Sequence, residues 1–255
     1  MVYFQVFPMQ RGKPCDDRLN NKQEHMKMKI EIWSDVMCPF CYMGKRKFET
    51  ALKQFADREH IEVEWKSFQL NPDLVTNPAI GMAQYLSEHK GIAAEQARQM
   101  NGQLTQAGQA VGLEYNFDKV VVANTFNAQR LIKFAHTQGK QNEMEERLFE
   151  AFFTEGKNVD DLPTLTQLAA EVGVDAAEEA FENDEYAAQV QADVAEANAL
   201  GIHSVPYFVF NRQLAVNGAQ DSSFFLETLR KAFDGWAKDH PEIKPRPVTF
   251  SYKPE

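Results

Sequence analysis

Cysteine is scarce in this chain of 255 residues: there are three, an odd number and too few to staple a fold. A disulfide-framed miniprotein is excluded, and the length is ample to bury a core without cross-links. Bases are outnumbered, 27 against 37 acids, and the formal charge of −10 argues against a surface built for nucleic acid or anionic membrane. No stretch approaches the roughly 18–20 uninterrupted apolar residues of a membrane-crossing helix. A secretory leader is not legible either. The apolar residues 2–7 are interrupted by Gln5 and closed by Pro8, and Arg11, Lys13 and Lys22 follow them instead of preceding them. Residues 1–27 read as a disordered extension carrying Cys15 as an incidental thiol, with Met26 and Met28 standing at the first strand. Internal repeats and low-complexity runs are absent. What remains, 44% apolar and 25% charged, is the composition of a soluble globular protein.

Period-two alternation marks strands at residues 29–33 (KIEIW) and 61–66 (IEVEWK), and helical spacing runs between them through Phe48, Leu52 and Phe55. This is a βαβ unit in length. Asn71-Pro72, Asn77-Pro78 and Gly81 then break the chain. Residues 78–201 read as helix almost throughout, with segments at 92–111, 143–153, 164–172 and 185–199 and a stop at Gly201. Residues 206–210 (PYFVF) and 213–216 form a hairpin turning at Asn211-Arg212, and an amphipathic helix follows through Phe225, Leu229 and Phe233. The predicted order is β-α-β, a helical block, then β-β-α. Neither strand-bearing part can cover itself, so residues 28–77 and 202–239 should close into one mixed sheet. The helical block is then an insertion, and residues 240–255 a proline-rich, extended tail.

Most of the chemistry lies in Cys38-Pro39-Phe40-Cys41, at the turn that opens the first helix. There, unpaired N–H groups and the helix dipole favour an anion, and the thiolate is the form that attacks. Cys38 should be the exposed nucleophile and Cys41 the buried resolving thiol. A zinc knuckle would need two further ligands at short spacing, and neither six scattered histidines nor Cys15 supply them, so no metal is expected. A second signal is Val205-Pro206, where a proline opens an apolar strand at the cost of a ladder donor. If that bond is cis, the turn is rigid, and Pro206 set against the cysteines would leave the Val205 backbone free to pair with a substrate peptide.

Three segments taken together, DVMCPFCYMGKRKFE, NTFNAQRLIKFA and GIHSVPYFVF, resemble the DsbA-like branch of the thioredoxin superfamily, specifically its FrnE-like dithiol–disulfide isomerases. The resemblance spans residues 29–234. It implies an α/β, thioredoxin-like fold with a large all-helical insertion, a cis Val205–Pro206 bond, a nucleophilic Cys38 and a resolving Cys41. DsbA members of that family are periplasmic; the leaderless N-terminus departs from them and points to the reducing cytoplasm. The implied function is thiol–disulfide exchange with protein or small-molecule thiols and disulfides, working with a cellular thiol reductant or oxidant. No bound cofactor is implied beyond the redox-active cysteine pair, with glutathione as a candidate co-substrate. Kappa-class transferases and 2-hydroxychromene-2-carboxylate isomerases look similar but carry serine at the position of Cys38, so a glutathione-dependent isomerase is the alternative. A non-catalytic chaperone module is the third reading.

Other residues are weaker candidates. Pro39, Phe40 and Val205 would contact substrate, with Trp33 and Phe40 supplying apolar surface near the sulfurs. Glu31 could shuttle a proton to Cys41, although an outward charge on an alternating strand is the plainer reading. His203 could tune the thiolate, Asp35 could cap the turn, and Lys45 and Arg46 could add positive potential. Tyr115, Phe117 and Val120 to Val122 read as the core of the insertion or its seam with the sheet.

Overall fold

The computed structural model describes residues 27–243 and 245–246. Cys15, the disorder expected of the N-terminal extension and most of the tail lie outside the described residues. Strand β1 (Met28–Ser34) is central: it pairs in parallel with β2 (Ile61–Ser67) and antiparallel with β3 (Tyr207–Phe210). β3 in turn pairs with β4 (Leu214–Asn217), giving the order β2-β1-β3-β4 in one mixed sheet. Chain segments from either side of the helical block therefore meet in a single sheet. The β3–β4 loop holds three residues, Asn211, Arg212 and Gln213, one more than the sequence suggested; Asn211 and Arg212 take positive φ, 49° and 53°, and the Gln213 N–H closes the turn on the Phe210 carbonyl at 3.0 Å.

One face of β1 is covered by α1 (Pro39–Gln54) and α9 (Ser222–Lys238). Ile30 and Ile32 stand opposite Phe210 and Phe208. Phe48 of α1 meets the rings of Phe208, Phe210 and Phe225 at 5.5, 6.2 and 5.7 Å between centroids. These are the offsets at which aromatic pairs attract.

The helices α2 (Met82–Lys90), α3 (Ala94–Gln109), α4 (Phe126–Thr137), α5 (Gln141–Glu150), α6 (Leu162–Glu171), α7 (Glu179–Glu182) and α8 (Asp184–Ala199) lie between β2 and β3 in the chain. Their presence changes one expectation. Period-two alternation of this kind belongs to a half-buried strand, yet every residue from Ile30 to Ser34 is buried. The second face is closed by α8, whose Asp193 carbonyl accepts the Trp33 indole N–H at 3.1 Å. Two local departures are also plain. The four-residue α7 is too short to carry a period, and the helix read over 143–153 passes after Glu150 into a π-helical turn, Ala151–Glu155. Gly201, at φ 71°, does end α8: the Ile202 N–H turns back to the Ala197 carbonyl at 2.8 Å.

The insertion also closes the outer edge of β2. Gln141 behaves like a residue of a missing strand: its Oε1 accepts the Trp65 N–H at 3.0 Å and its Nε2 donates to the Trp65 carbonyl at 2.9 Å. Lys133 adds a second donor to that carbonyl at 3.2 Å. The Ser67 N–H is taken by the Asp193 carboxylate at 2.8 Å. An edge strand left open is a template for aggregation, and here side chains pair it instead.

Asp193 is the hub of this edge, since it also pairs with Lys66 at 2.5 Å and with Lys133. Replacing it by Ala removes the only carboxylate paired with buried Lys133 among the described residues and the acceptor of the buried Ser67 N–H, while the half-buried Lys66 keeps Glu196 and Glu64. Removing one partner of a buried pair typically costs about 3–5 kcal/mol. A urea titration of Asp193→Ala should show a midpoint lowered by a loss of that order, and a change within error would mean that the hub does not hold the edge.

Candidate active site

Helix α1 starts immediately after Cys38, which occupies the N-cap with extended backbone, φ −93° and ψ 109°. Pro39 takes the first helical position, where its missing N–H costs nothing. The Cys41 N–H bonds back to the Cys38 carbonyl at 3.0 Å, closing the first turn with both cysteines on it. Asp35 sets the approach. Its carbonyl accepts the Cys38 N–H at 2.9 Å, and its carboxylate accepts the N–H groups of Leu70 at 2.7 Å and Met37 at 3.3 Å. The proposed cap at Asp35 is thus present.

Val205–Pro206 comes to this turn from the far end of the chain, and its peptide bond is cis. The Cys38 thiol donates to the Val205 carbonyl at 3.6 Å. A β-carbon added at Gly44 would stand 2.9 Å from Cγ of Pro206, so the proline ring lies directly on the first turns of α1. Cys38 is only 4% exposed, less open than the sequence suggested, because this loop folds over it. Phe40, at 49%, is the open member of the motif. Cys38 and Cys41 are both free thiols, and Cys41 is fully buried. Burial pushes the Cys41 thiol well up, and its hydrogen bond to Cys38 adds to the rise; the Asp35 backbone and the Ser34 hydroxyl act the other way.

Several sequence candidates stand elsewhere. Glu31 lies on the α8 face of β1, the opposite side from the cysteines, and pairs with Arg212 of the hairpin turn. Its parity on the strand decides this: Ser34, not Glu31, shares a face with Ile30 and Ile32. Trp33 lies on the same α8 face and gives no surface to the sulfurs. His203 is exposed on the loop. Lys45 and Arg46 are held by acids: Lys45 meets Glu49 at 2.5 Å and Glu146 at 2.7 Å, and Arg46 meets Glu146 at 2.5 Å. Their charge is balanced beside α5.

Two residues at the site, Ser34 and Glu145, escaped the sequence reading, and a third, Tyr115, reaches it from the seam where the sequence placed it. Tyr115 donates its hydroxyl to the Pro39 carbonyl at 2.7 Å. It is held there by the π-helical turn, for Asn116 N–H bonds the Phe153 carbonyl at 2.7 Å and Thr154 Oγ1 the Glu114 carbonyl at 2.6 Å. Ser34 lies beside Cys41 and donates to Glu145 Oε1 at 2.7 Å. Glu145 is itself buried, although it sits in the acidic run Glu143-Met144-Glu145-Glu146. Its signal was helical spacing: with Gln141, Leu148 and Phe149 it forms the buried face of α5.

A domain model for DSBA-like thioredoxin domains matches residues 29–230. The chain belongs to the DSBA-like thioredoxin family. An uncharacterized Bacillus subtilis protein, YwbO, is 32% identical over 214 residues, which is 80% of this chain and 96% of that one. A Streptomyces coelicolor structure described as a probable DsbA oxidoreductase is 31% identical, covers 88% of this chain and 94% of its own, and superposes with a TM-score of 0.75. The cytosolic disulfide reductase DsbM of Pseudomonas aeruginosa shares the DSBA-like fold at 18% identity and TM-score 0.53, over 84% of this chain and all of that one.

Two predictions follow from the packing and burial of the site. Gly44→Ala forces its new methyl group into the Pro206 ring, and overpacking of this kind costs roughly 1–3 kcal/mol. A thermal melt should register that loss, together with altered reactivity of Cys38, while an unshifted melt would mean that the proline is not held by α1. The second concerns pH. Burial lifts the Glu145 carboxyl from 4.5 to about 7 and the Asp35 carboxyl from 3.8 to about 6. The native state therefore holds these protons more tightly than the unfolded chain. Their contribution favours folding at low pH and is lost as pH rises through the window from about 4 to 7. Glu145→Gln should accordingly be more stable than the parent at pH 8, by an amount on the order of 2–3 kcal/mol, with the gap closing below pH 4.5. Equal denaturation midpoints at both pH values would contradict it.

Proposed function

We propose that this protein is a thiol–disulfide oxidoreductase that exchanges disulfides through Cys38 and Cys41, on protein or small-thiol substrates, glutathione among the latter. The observation that carries this reading is the meeting of three groups: the Cys38 sulfur at a helix N-terminus, the Val205 carbonyl 3.6 Å away, and buried Cys41 behind it. Family membership and the likeness to an oxidoreductase support it.

In the exchange, Cys38 thiolate attacks a substrate disulfide, a new S–S bond forms to one substrate sulfur, and the other leaves as thiolate. The first N–H groups of α1 favour the negative charge on Cys38 before attack. A Cys38 thiolate has no proton to give Val205, so that carbonyl becomes available to an N–H of the substrate backbone. Cys41 then attacks Cys38, expels the substrate thiolate and closes the Cys38–Cys41 disulfide; a cellular thiol returns the pair to its starting state. The scarcity of other cysteines suits a reducing, cytoplasmic setting.

Replacing each cysteine separately tests the assignment. Cys38→Ser should abolish exchange and form no adducts, whereas Cys41→Ser should still attack and accumulate substrates bound through Cys38. Non-reducing electrophoresis of cell extract with mass mapping reads both results. Adducts mapping to Cys41 would overturn the order of attack. Exchange activity absent from the parent protein, with tight stoichiometric glutathione binding by Cys38→Ser, would favour a glutathione-dependent isomerase instead.

A further inference from the structure

Pro39 opens α1, so the peptide unit joining it to Phe40 gives its carbonyl to the helix ladder and its N–H to the open N-terminal end. That N–H stands two positions after the N-cap, where an N-cap side chain finds its donors, and here the N-cap side chain carries the Cys38 sulfur. A carbonyl at this place ordinarily accepts only the N–H four residues on. The Pro39 carbonyl takes a further donor from outside the helix, the Tyr115 hydroxyl at 2.7 Å.

The insertion holds that hydroxyl in place. Tyr115 is buried, and its ring lies against those of Tyr42, Phe117 and Phe153 at 6.1, 5.4 and 5.0 Å between centroids. Helix α3 meets it as closely, for a β-carbon at Gly108 would stand 2.9 Å from two of its ring carbons. The Leu113 N–H closes on the Gly108 carbonyl at 2.9 Å, and the Tyr115 carbonyl accepts Thr105 Oγ1 at 3.4 Å. A phenylalanine would fill the same packing. What the hydroxyl adds is its bond to the Pro39 carbonyl.

We propose that Tyr115 is a positioning residue for the nucleophile: by donating to the Pro39 carbonyl it strengthens the Phe40 N–H as a donor to Cys38 and so favours the attacking thiolate. This rests on the thiol-exchange reading above. A carbonyl that accepts a hydrogen bond draws electron density from its own amide nitrogen, and the N–H on that nitrogen becomes a stronger donor. The effect reaches the sulfur through one peptide unit and adds to the field of the helix end. The proton stays on the phenol throughout. Burial and the neighbouring Tyr42, Cys38 and Cys41 hold that phenol well above its usual range, against a smaller opposing effect of Arg46. Other charged groups about the motif are already engaged. Asp35 accepts the Leu70 and Met37 N–H groups, Glu145 accepts the Ser34 hydroxyl, and Lys45 and Arg46 are paired with Glu49 and Glu146. His203 is exposed on the loop before Val205, and Cys41 shares the turn as the resolving thiol.

Tyr115→Phe keeps the ring and removes the one bond. Alkylation of the reduced full-length protein by iodoacetamide, followed across pH with mass mapping to Cys38, reads the thiolate fraction. The variant should alkylate about threefold more slowly at any pH below the midpoint, with that midpoint moved upward, a change of the size a helix-end field produces. The reduction potential of the cysteine pair in glutathione buffers should fall, since a less stabilised thiolate weakens the reduced form. Biosynthetic replacement of tyrosine by 3-fluorotyrosine, whose phenol is a stronger donor, should move the parent's midpoint downward and leave that of Tyr115→Phe in place. An unchanged midpoint and potential in folded Tyr115→Phe would overturn the proposal. Should that variant fail to fold, an unmoved midpoint in the fluorotyrosine-labelled parent would overturn it equally. A parent that alkylates at Cys38 but exchanges no disulfide would refute the exchange reading instead, and the midpoints would still judge Tyr115.

Discussion

The site depends on one close approach, that of the Pro206 ring to α1 at Gly44. No side chain fits between them, so the loop that ends the helical insertion is pressed onto the turn that carries the cysteines. From that contact follows the position of the Val205 carbonyl over the Cys38 sulfur. It also explains the burial of Cys38, since the same loop that would orient a substrate covers the thiol at rest. Two segments some 160 residues apart in sequence are brought together by the pairing of β3 with β1, whose register sets Tyr207 opposite Trp33.

The insertion is more than a lid. It closes the second face of β1 through α8 and the open edge of β2 through Gln141, Lys133 and Asp193. From the other side it sends Tyr115 to the Pro39 carbonyl and Glu145 to Ser34. The sheet supplies the sulfurs and the insertion supplies the polar groups behind them. A sheet without the insertion would expose both an apolar face and an unpaired edge, which is a reason to regard the two parts as one folding unit.

Charge around the cysteines is closely compensated. Glu146 and Glu49 bind Lys45 and Arg46, and the Tyr42 hydroxyl donates to Glu146 at 2.8 Å while its ring stacks on Phe149 at 4.8 Å. Basic residues one turn along from a reactive cysteine thus serve the seam between α1 and α5. Asp35 and Glu145 are the acids held in low-dielectric surroundings next to the motif, and their raised carboxyls reflect that isolation.

Local patterns determined much of this protein. Alternation at KIEIW and IEVEWK, the breakers after residue 70, the Asn211-Arg212 turn and the spacing of Phe48 and Phe225 prescribe the strands, helices and their order, because each is a matter of neighbours in the chain. The Cys38-Pro39-Phe40-Cys41 turn and Pro206 were legible for the same reason, being short motifs with their own backbone demands. Tertiary structure alone decided which face each β1 side chain meets. Glu31 and Ser34 differ by an odd number of positions, so one turns to α8 and Arg212 and the other to the cysteines, and no pattern along the strand says which face that is. Nor could charge runs reveal Glu145 or the pairing of Lys45, since burial of an ion depends on what a distant helix brings against it.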